Sequence, residues 1–173
     1  AVYAPAIEYN IITPATIIND AKIKIGDWEP KNSGGGYKGR LTARRHLELS
    51  QNIPAVKVMQ ELTVDKSFDF MTKNLGFTTM VAGETRNGKL VTDKSLSMSL
   101  GGLTDGVTVK EMTAGYATFV NGGQYNKPVT YTKVIDANGK IVLENKVENK
   151  RAMSEQTAFI MQNMLTGVIK NGT

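Results

Sequence analysis

The sequence contains no cysteine and only one histidine, and each absence excludes a kind of chemistry. Without cysteine there is no structural disulfide, no thiol nucleophile and no thiolate zinc site. The single His46 argues against a metal site built from imidazoles. It also argues against a Ser-His-Asp catalytic triad, although one histidine would suffice for a triad. The sequence predicts no metal and no cofactor.

Long apolar runs and aromatic side chains are also scarce. No run approaches the roughly 20 residues of a membrane span, and no signal peptide is recognisable. The net charge is +5, and the charges are spread along the chain. A solvated surface is therefore favoured over a nucleic-acid face, since few aromatics could stack on bases. The only modest basic cluster comprises Lys31, Lys38, Arg40, Arg44 and Arg45.

The apolar content of 40% is enough for one domain, which would bury roughly 70% of its unfolded surface. Residues 1–32 indicate a short helix and then extended, loop-rich chain, and residues 33–36 form a Gly-rich turn. Helical spacing and capping signals predict helices over residues 41–49, 53–62, 65–75, 109–120 and 155–169. The expected N-caps are Thr42, Asp65, Thr108 and Ser154, the third of them in a Thr-x-x-Glu capping box.

Apolar segments at residues 129–135 and 140–144 flank an Asp-Ala-Asn-Gly sequence, which is a good β-hairpin signal. The pattern therefore favours a mostly helical α+β chain with one hairpin. Residues 86–89 (Arg-Asn-Gly-Lys) are expected to form a turn in a polar segment.

Ser50 and Asn52 lie two residues apart, between two predicted helices. A hydroxyl and a carboxamide so placed can relay a proton and hold an amide substrate. Alone, Ser-x-Asn is a weak signal: Ser50 could end one helix and Asn52 could be a turn residue before the next.

Five segments in order strengthen that signal. They are Tyr-Ala-Pro-Ala-Ile-Glu at residues 3–8, Ile-Thr-Pro-Ala-Thr at 12–16, Trp-Glu-Pro-Lys-Asn at 28–32, the helix and Ser-x-Asn motif at 41–55, and residues 100–123 ending in Ala-Thr-Phe-Val-Asn-Gly-Gly. Together they resemble the transpeptidase domain of class A penicillin-binding proteins across nearly the whole chain.

The resemblance implies the serine β-lactamase-like fold, a five-stranded antiparallel sheet flanked by helices. It also implies three motifs, Ser-x-x-Lys, Ser-x-Asn and Lys-Thr/Ser-Gly. Only the second is present: no serine is followed by lysine at the third position, and neither Lys-Thr-Gly nor Lys-Ser-Gly occurs. Residues 1–173 are thus expected to be a partial transpeptidase domain, the helical lobe plus a hairpin with most of the sheet missing. We expect its sheet-facing side to be apolar and open, and covered by a second polypeptide or a second copy of the chain.

The resemblance implies that the complete domain is a serine D-Ala-D-Ala transpeptidase acting on peptidoglycan stem peptides and acylated by β-lactams. The complete protein would be anchored in the bacterial cytoplasmic membrane, with this domain on the outer side. A glycosyltransferase domain would precede it in the sequence. The fragment alone is expected to be inactive. By the same resemblance Ser50 and Asn52 are catalytic and substrate-binding. Trp28 would line the cleft, although packing is the alternative, and His46 is expected at a half-exposed helix position.

Two other functions stay open. The same fold could serve as a non-catalytic penicillin sensor, with the motif kept for ligand contact. More weakly, the basic chain could dock on anionic wall polymer.

Overall fold

In the computed structural model, residues 1–146 and 148–172 are described. The helices of this part of the chain are α1 (Tyr3–Glu8), α2 (Ala43–Glu48), α3 (Asn52–Leu62), α4 (Val64–Asp69), α5 (Val109–Ala117) and α6 (Glu155–Asn171). α4 runs on into a π-helical turn, Phe70–Asn74, and a 3₁₀ helix spans Leu96–Leu100.

Helix α3 is the centre of the core. Seven of its eleven residues are buried, and Ile53, Val56 and Met59 are fully buried. α1, α4, strand β1 (Ile17–Asp20) and the 3₁₀ helix all contact it. Each Å² of buried apolar surface contributes about 25 cal/mol to stability. Packing against these neighbours, rather than helix propensity, therefore holds α3 in place.

The strands form four separate two-stranded antiparallel sheets within the described residues. β1 pairs with β2 (Gly39–Thr42), and β3 (Glu84–Arg86) with β4 (Lys89–Val91). β5 (Gln124–Asn126) pairs with β8 (Asn149–Arg151), and the β6–β7 hairpin (Lys133–Ile135 and Ile141–Glu144) lies between them in sequence. No five-stranded sheet is present in this part of the chain, so the expected helical lobe with a hairpin is confirmed.

The prediction of a single hairpin was wrong, because only the β6–β7 pairing was expected. β3 and β4 have three residues each and are mostly exposed, so they are too short to show the alternating apolar pattern of a half-buried strand. Their hairpin depends on Asn87 and Gly88, whose positive φ angles of 51° and 74° suit a tight two-residue turn. The β1–β2 and β5–β8 pairings join segments distant in sequence, which local patterns do not reveal.

The predicted N-caps are confirmed at Thr42, Thr108 and Ser154, each of which accepts a hydrogen bond from a backbone N–H in the first turn of its helix. The cap predicted at Asp65 was wrong. Thr63 caps α4 and accepts from the Lys66 N–H, while Asp65 lies in the first turn, where its negative charge favours the helix dipole.

Apolar side chains are exposed on α6, on α5 and on the turn after α5, and we call this set the apolar face of α5 and α6. That it is the sheet-facing side stays a prediction. Tyr116 is 55% exposed, Val120 70% and Ile169 88%. Together with Phe119 and Leu165 they line a shallow cavity of about 320 Å³. Exposed apolar groups in such a contiguous patch are typical of a surface that packs against other protein.

Glu111, at the start of α5, fastens the loop at residues 78–79 to this helix. Its carboxylate accepts hydrogen bonds from the backbone and hydroxyl of Thr78 at 2.6 and 2.9 Å and from the Thr79 hydroxyl at 3.0 Å. The backbone and hydroxyl of Thr108 donate to it at 3.0 and 2.9 Å. Burial acts to raise the pKa of Glu111, but the hydrogen bonds from Thr108 and Thr78 outweigh it and lower the pKa from 4.5 to about 2.

This network gives a pH-dependent stability. Since the folded-state pKa lies below the unfolded one, the stabilisation is fully present above pH 4.5 and is lost as the pH falls towards 2. Glu111→Gln should lower the free energy of unfolding at pH 7 by about 2 kcal/mol, because it removes charge-assisted hydrogen bonds. Urea denaturation at pH 7 and pH 3 should show that the difference in unfolding free energy between Glu111→Gln and wild type is smaller at pH 3.

Glu61→Gln, at an exposed position, is the control. If Glu111→Gln differs from wild type as much at pH 3 as at pH 7, the network is contradicted.

Candidate active site

Ser50 occupies a strained backbone position at the end of α2. Its φ is +51°, in the left-handed region that glycine prefers. The N–H of Ser50 bonds to the Leu47 carbonyl at 3.1 Å, and the N–H of Gln51 bonds to the His46 carbonyl at 3.0 Å. These two bonds form a Schellman motif, which ends α2 with a serine where glycine is usual. The turn leaves Ser50 exposed, two residues from Asn52 at the start of α3.

Asn52 is half-buried, and both its backbone and its side chain are held. Its Nδ2 donates to the Lys31 carbonyl oxygen at 2.8 Å. Its backbone N–H donates to Oδ1 of Asn32 at 3.0 Å. None of the hydrogen bonds among the described residues uses Oδ1 of Asn52, so this acceptor remains for a ligand.

A groove of about 450 Å³ runs beside these residues. Ser50, Gln51 and Asn52 form a polar part of its lining, and the start of α1, from Ala1 to Pro5, forms another side. The remaining lining is mostly apolar and includes Phe70, Phe77, Met80, Met98, Met112, Tyr116, Phe119, Met161 and Leu165. An apolar cleft with a few convergent polar groups is the usual form of a ligand site.

Trp28 is not among the residues that line this groove. Its side chain is half-buried, and its backbone forms an isolated β-bridge with Ile25, with N–H to carbonyl distances of 2.8 and 3.0 Å. The substrate-binding role of Trp28 stays a prediction.

His46 lines the groove, but the expectation of a half-exposed position was wrong, because it is fully buried. Its Nε2 lies 2.9 Å from the Ile18 carbonyl oxygen, which can only accept, so Nε2 carries the proton. The contact to β1 explains why a ring is accommodated on this helix.

Sequence reasoning assigned no role to Asn32 or Asp20, yet both are buried behind the Ser-x-Asn turn. Nδ2 of Asn32 lies 2.9 Å from each carboxylate oxygen of Asp20. The available signal was the position of Asn32 at the end of the Trp-Glu-Pro-Lys-Asn segment. Asp20 had a comparable signal, since Asn19-Asp20 also belongs to the stretch that resembles the family.

Two further features bear on the chemistry. The part of the chain that the structure describes has no cluster of three or more His, Cys, Asp or Glu residues suited to a metal ion. Among the same residues, no helix has the length and apolar character required to cross a bilayer.

Comparison with known proteins shows the same family across the whole chain. A family model described as the penicillin-binding protein transpeptidase domain matches residues 1–173. Penicillin-binding protein 1F of Bacillus subtilis (strain 168) is 31% identical over 173 residues, which is 100% of this chain and 22% of that protein. The chain thus spans about a fifth of the length of this curated relative.

Two solved structures have the same fold. Penicillin-binding protein 1A from Haemophilus influenzae aligns with a TM-score of 0.78 at 23% identity, over 99% of this chain and 29% of that one. Penicillin-binding protein 3 from Mycobacterium tuberculosis, complexed with aztreonam, aligns with a TM-score of 0.77 at 18% identity, over 98% of this chain and 40% of that one. The resemblance drawn from the sequence is confirmed: the chain belongs to the penicillin-binding protein transpeptidase domain family.

Proposed function

We propose that this chain is the central part of a serine-type D,D-transpeptidase that cross-links peptidoglycan stem peptides through an acyl-enzyme. The observation that carries the proposal is the position of Ser50 and Asn52 on the wall of one groove, in a chain of the penicillin-binding transpeptidase family. The solved relative complexed with aztreonam supports β-lactams as a second class of ligand.

Ser50 would act as the proton carrier of this reaction. A nucleophilic serine forms a bond to the carbonyl carbon of the D-Ala-D-Ala peptide, the C–N bond breaks, and the leaving amine must gain a proton. The nucleophile's proton passes to a lysine, Ser50 Oγ gives its own proton to the leaving amine, and the lysine then reprotonates Ser50. The nucleophile and lysine belong to the family's Ser-x-x-Lys motif, which this chain does not contain.

Asn52 would bind the substrate peptide and the lysine. Its Nδ2 has a second hydrogen besides the one donated to Lys31, and its Oδ1 can accept from an N–H or an ammonium group. An amide fixed at one hydrogen can orient both partners without a change of rotamer.

The strain at Ser50 supports a functional role. A left-handed backbone costs an L-residue roughly 1–2 kcal/mol. Glycine would end α2 without that cost, so a serine here is unfavourable for stability alone. Strained backbone positions cluster at active sites for this reason.

The complete protein would supply what these residues lack. We propose that it carries the Ser-x-x-Lys and Lys-Thr/Ser-Gly motifs, an upstream glycosyltransferase domain and a membrane anchor, with this domain on the extracytoplasmic side. More sequence, or a second polypeptide, would cover the apolar face of α5 and α6. Residues 1–173 alone would be inactive.

Labelling with a fluorescent penicillin tests this function. We expect covalent label on the full-length protein and none on residues 1–173. Ser50→Ala should slow acylation of the full-length protein by roughly 10²- to 10⁴-fold, the usual effect of losing a general acid–base group. Ser33→Ala, at an exposed turn, is the matched control and should label at the wild-type rate. Unchanged labelling of Ser50→Ala would refute the role of Ser50, and labelling without cross-linking of stem peptides would favour the sensor.

The strain at Ser50 predicts a trade of activity against stability. Ser50→Gly should be more stable than Ser50→Ala by about 1 kcal/mol, because only glycine relieves the left-handed backbone, while both variants lose the proton carrier. Urea denaturation of both proteins measures the difference. At Ser33, whose φ is not positive, the glycine variant should be no more stable than the alanine variant. Equal stability of the two Ser50 variants would show that the backbone is not strained.

A further inference from the structure

The first turn of α3 has no cap of its own. Gln51 occupies the N-cap position, but its side chain makes no capping hydrogen bond, and its Nε2 donates instead to the Leu49 carbonyl at 2.7 Å. The first N–H groups of a helix have no acceptor within the helix. Those of Asn52 and Ile53 must therefore find one elsewhere.

Asn32 supplies that acceptor from 20 residues away in sequence. Its Oδ1 accepts from the N–H of Asn52 at 3.0 Å and from the N–H of Ile53 at 3.2 Å. Asn32 as a whole is 6% exposed, so water does not replace these bonds at low cost. The position of the Ser-x-Asn turn is thus tied to a different segment of chain.

Asp20 fixes which way the Asn32 amide points. The fully buried Asp20 carboxylate accepts from Nδ2 of Asn32 and from the Lys38 N–H at 2.7 Å. Nδ2 of Asn32 also donates to the Gly36 carbonyl at 3.0 Å. Because a carboxylate and a carbonyl can only accept, the NH₂ end must face them and Oδ1 must face α3.

A second bond from the same segment holds the Asn52 side chain. Lys31, adjacent to Asn32, accepts from Nδ2 of Asn52 through its carbonyl. Residues 31 and 32 therefore fix both the backbone and the carboxamide of Asn52. Ser50, two residues earlier on the same turn, is placed relative to them.

We propose that Asn32 is a positioning residue for transpeptidation, oriented by Asp20, which sets the place of Ser50 and Asn52 in the groove. The inference rests on the proposed function. Asn32 does not line the groove and would not touch substrate. Its effect would come through geometry, because a misplacement of about 1 Å at a reacting group can cost 10²-fold in rate.

The test measures the acylation rate constant per labelled molecule of the full-length protein with fluorescent penicillin. Counting only labelled molecules separates rate from the fraction that folds. We expect Asn32→Ala to slow acylation by about 10- to 100-fold. Asn74→Ala is the matched control, since Nδ2 of Asn74 also bonds a distant carbonyl, that of Ala152 at 2.8 Å, and neither residue lines the groove. It should lower the melting temperature and leave the rate unchanged.

A charge exchange tests the role of Asp20. Asn32→Asp alone places two carboxylates against each other and should slow acylation at least as much as Asn32→Ala. In the double variant Asp20→Asn/Asn32→Asp, the new amide can donate to the new carboxylate, whose other oxygen still accepts from α3, while the Gly36 carbonyl loses its donor. We expect the double variant to acylate faster than Asn32→Asp but more slowly than wild type. A merely structural role would move stability and not the rate per labelled molecule.

The outcomes separate this inference from the proposed function. If Ser50→Ala is slow but Asn32→Ala acylates at the wild-type rate, the positioning role is overturned and the function stands. If the double variant is no faster than Asn32→Asp, the orienting role of Asp20 is overturned. If Ser50→Ala itself acylates at the wild-type rate, the proposed role of Ser50 and the positioning inference fall together.

Discussion

The buried hydrogen bonds from Asp20 through Asn32 to the N-terminus of α3 are the constraint on which the site depends. α3 is the helix around which the core packs, and the Ser-x-Asn turn leads directly into it. A buried polar group without a partner costs about 1–3 kcal/mol. Separating Asp20, Asn32 and the first turn of α3 is therefore costly. The interaction thus joins the core to the wall of the groove and gives the site a rigid support.

The local parts of this architecture were predictable because their signals are local. The Thr108 capping box, the Ser154 cap and the hairpin around Gly139 each depend on residues a few positions apart. The family resemblance located Ser50 and Asn52 for the same reason, since the motif is contiguous. These local signals do not reveal which distant residue each side chain contacts in the folded chain.

The parts that sequence reasoning missed depend on distant pairs. The Asp20–Asn32 contact and the β1–β2 pairing bring together segments whose sequences carry no pattern of mutual recognition. The cap of α4 was misplaced because both Thr63 and Asp65 are good N-cap residues, and only the hydrogen bond from the Lys66 N–H to the Thr63 hydroxyl decides between them. His46 was misjudged because its burial depends on the Ile18 carbonyl, which β1 brings to it.

The ends of the fold are joined by one carboxylate. Glu8 is the last residue of α1, and its two carboxylate oxygens each lie 3.1 Å from the backbone nitrogen of Ser154, which donates to them across 146 residues of chain. The Ser154 hydroxyl donates to the same carboxylate at 2.8 Å. α1 and α6 both contribute to the groove wall. Because contacts between remote segments carry a large loop-closure entropy, this closure is slow compared with helix formation. The cleft therefore forms only once α6 has reached α1, and until then the apolar side chains that line it stay exposed.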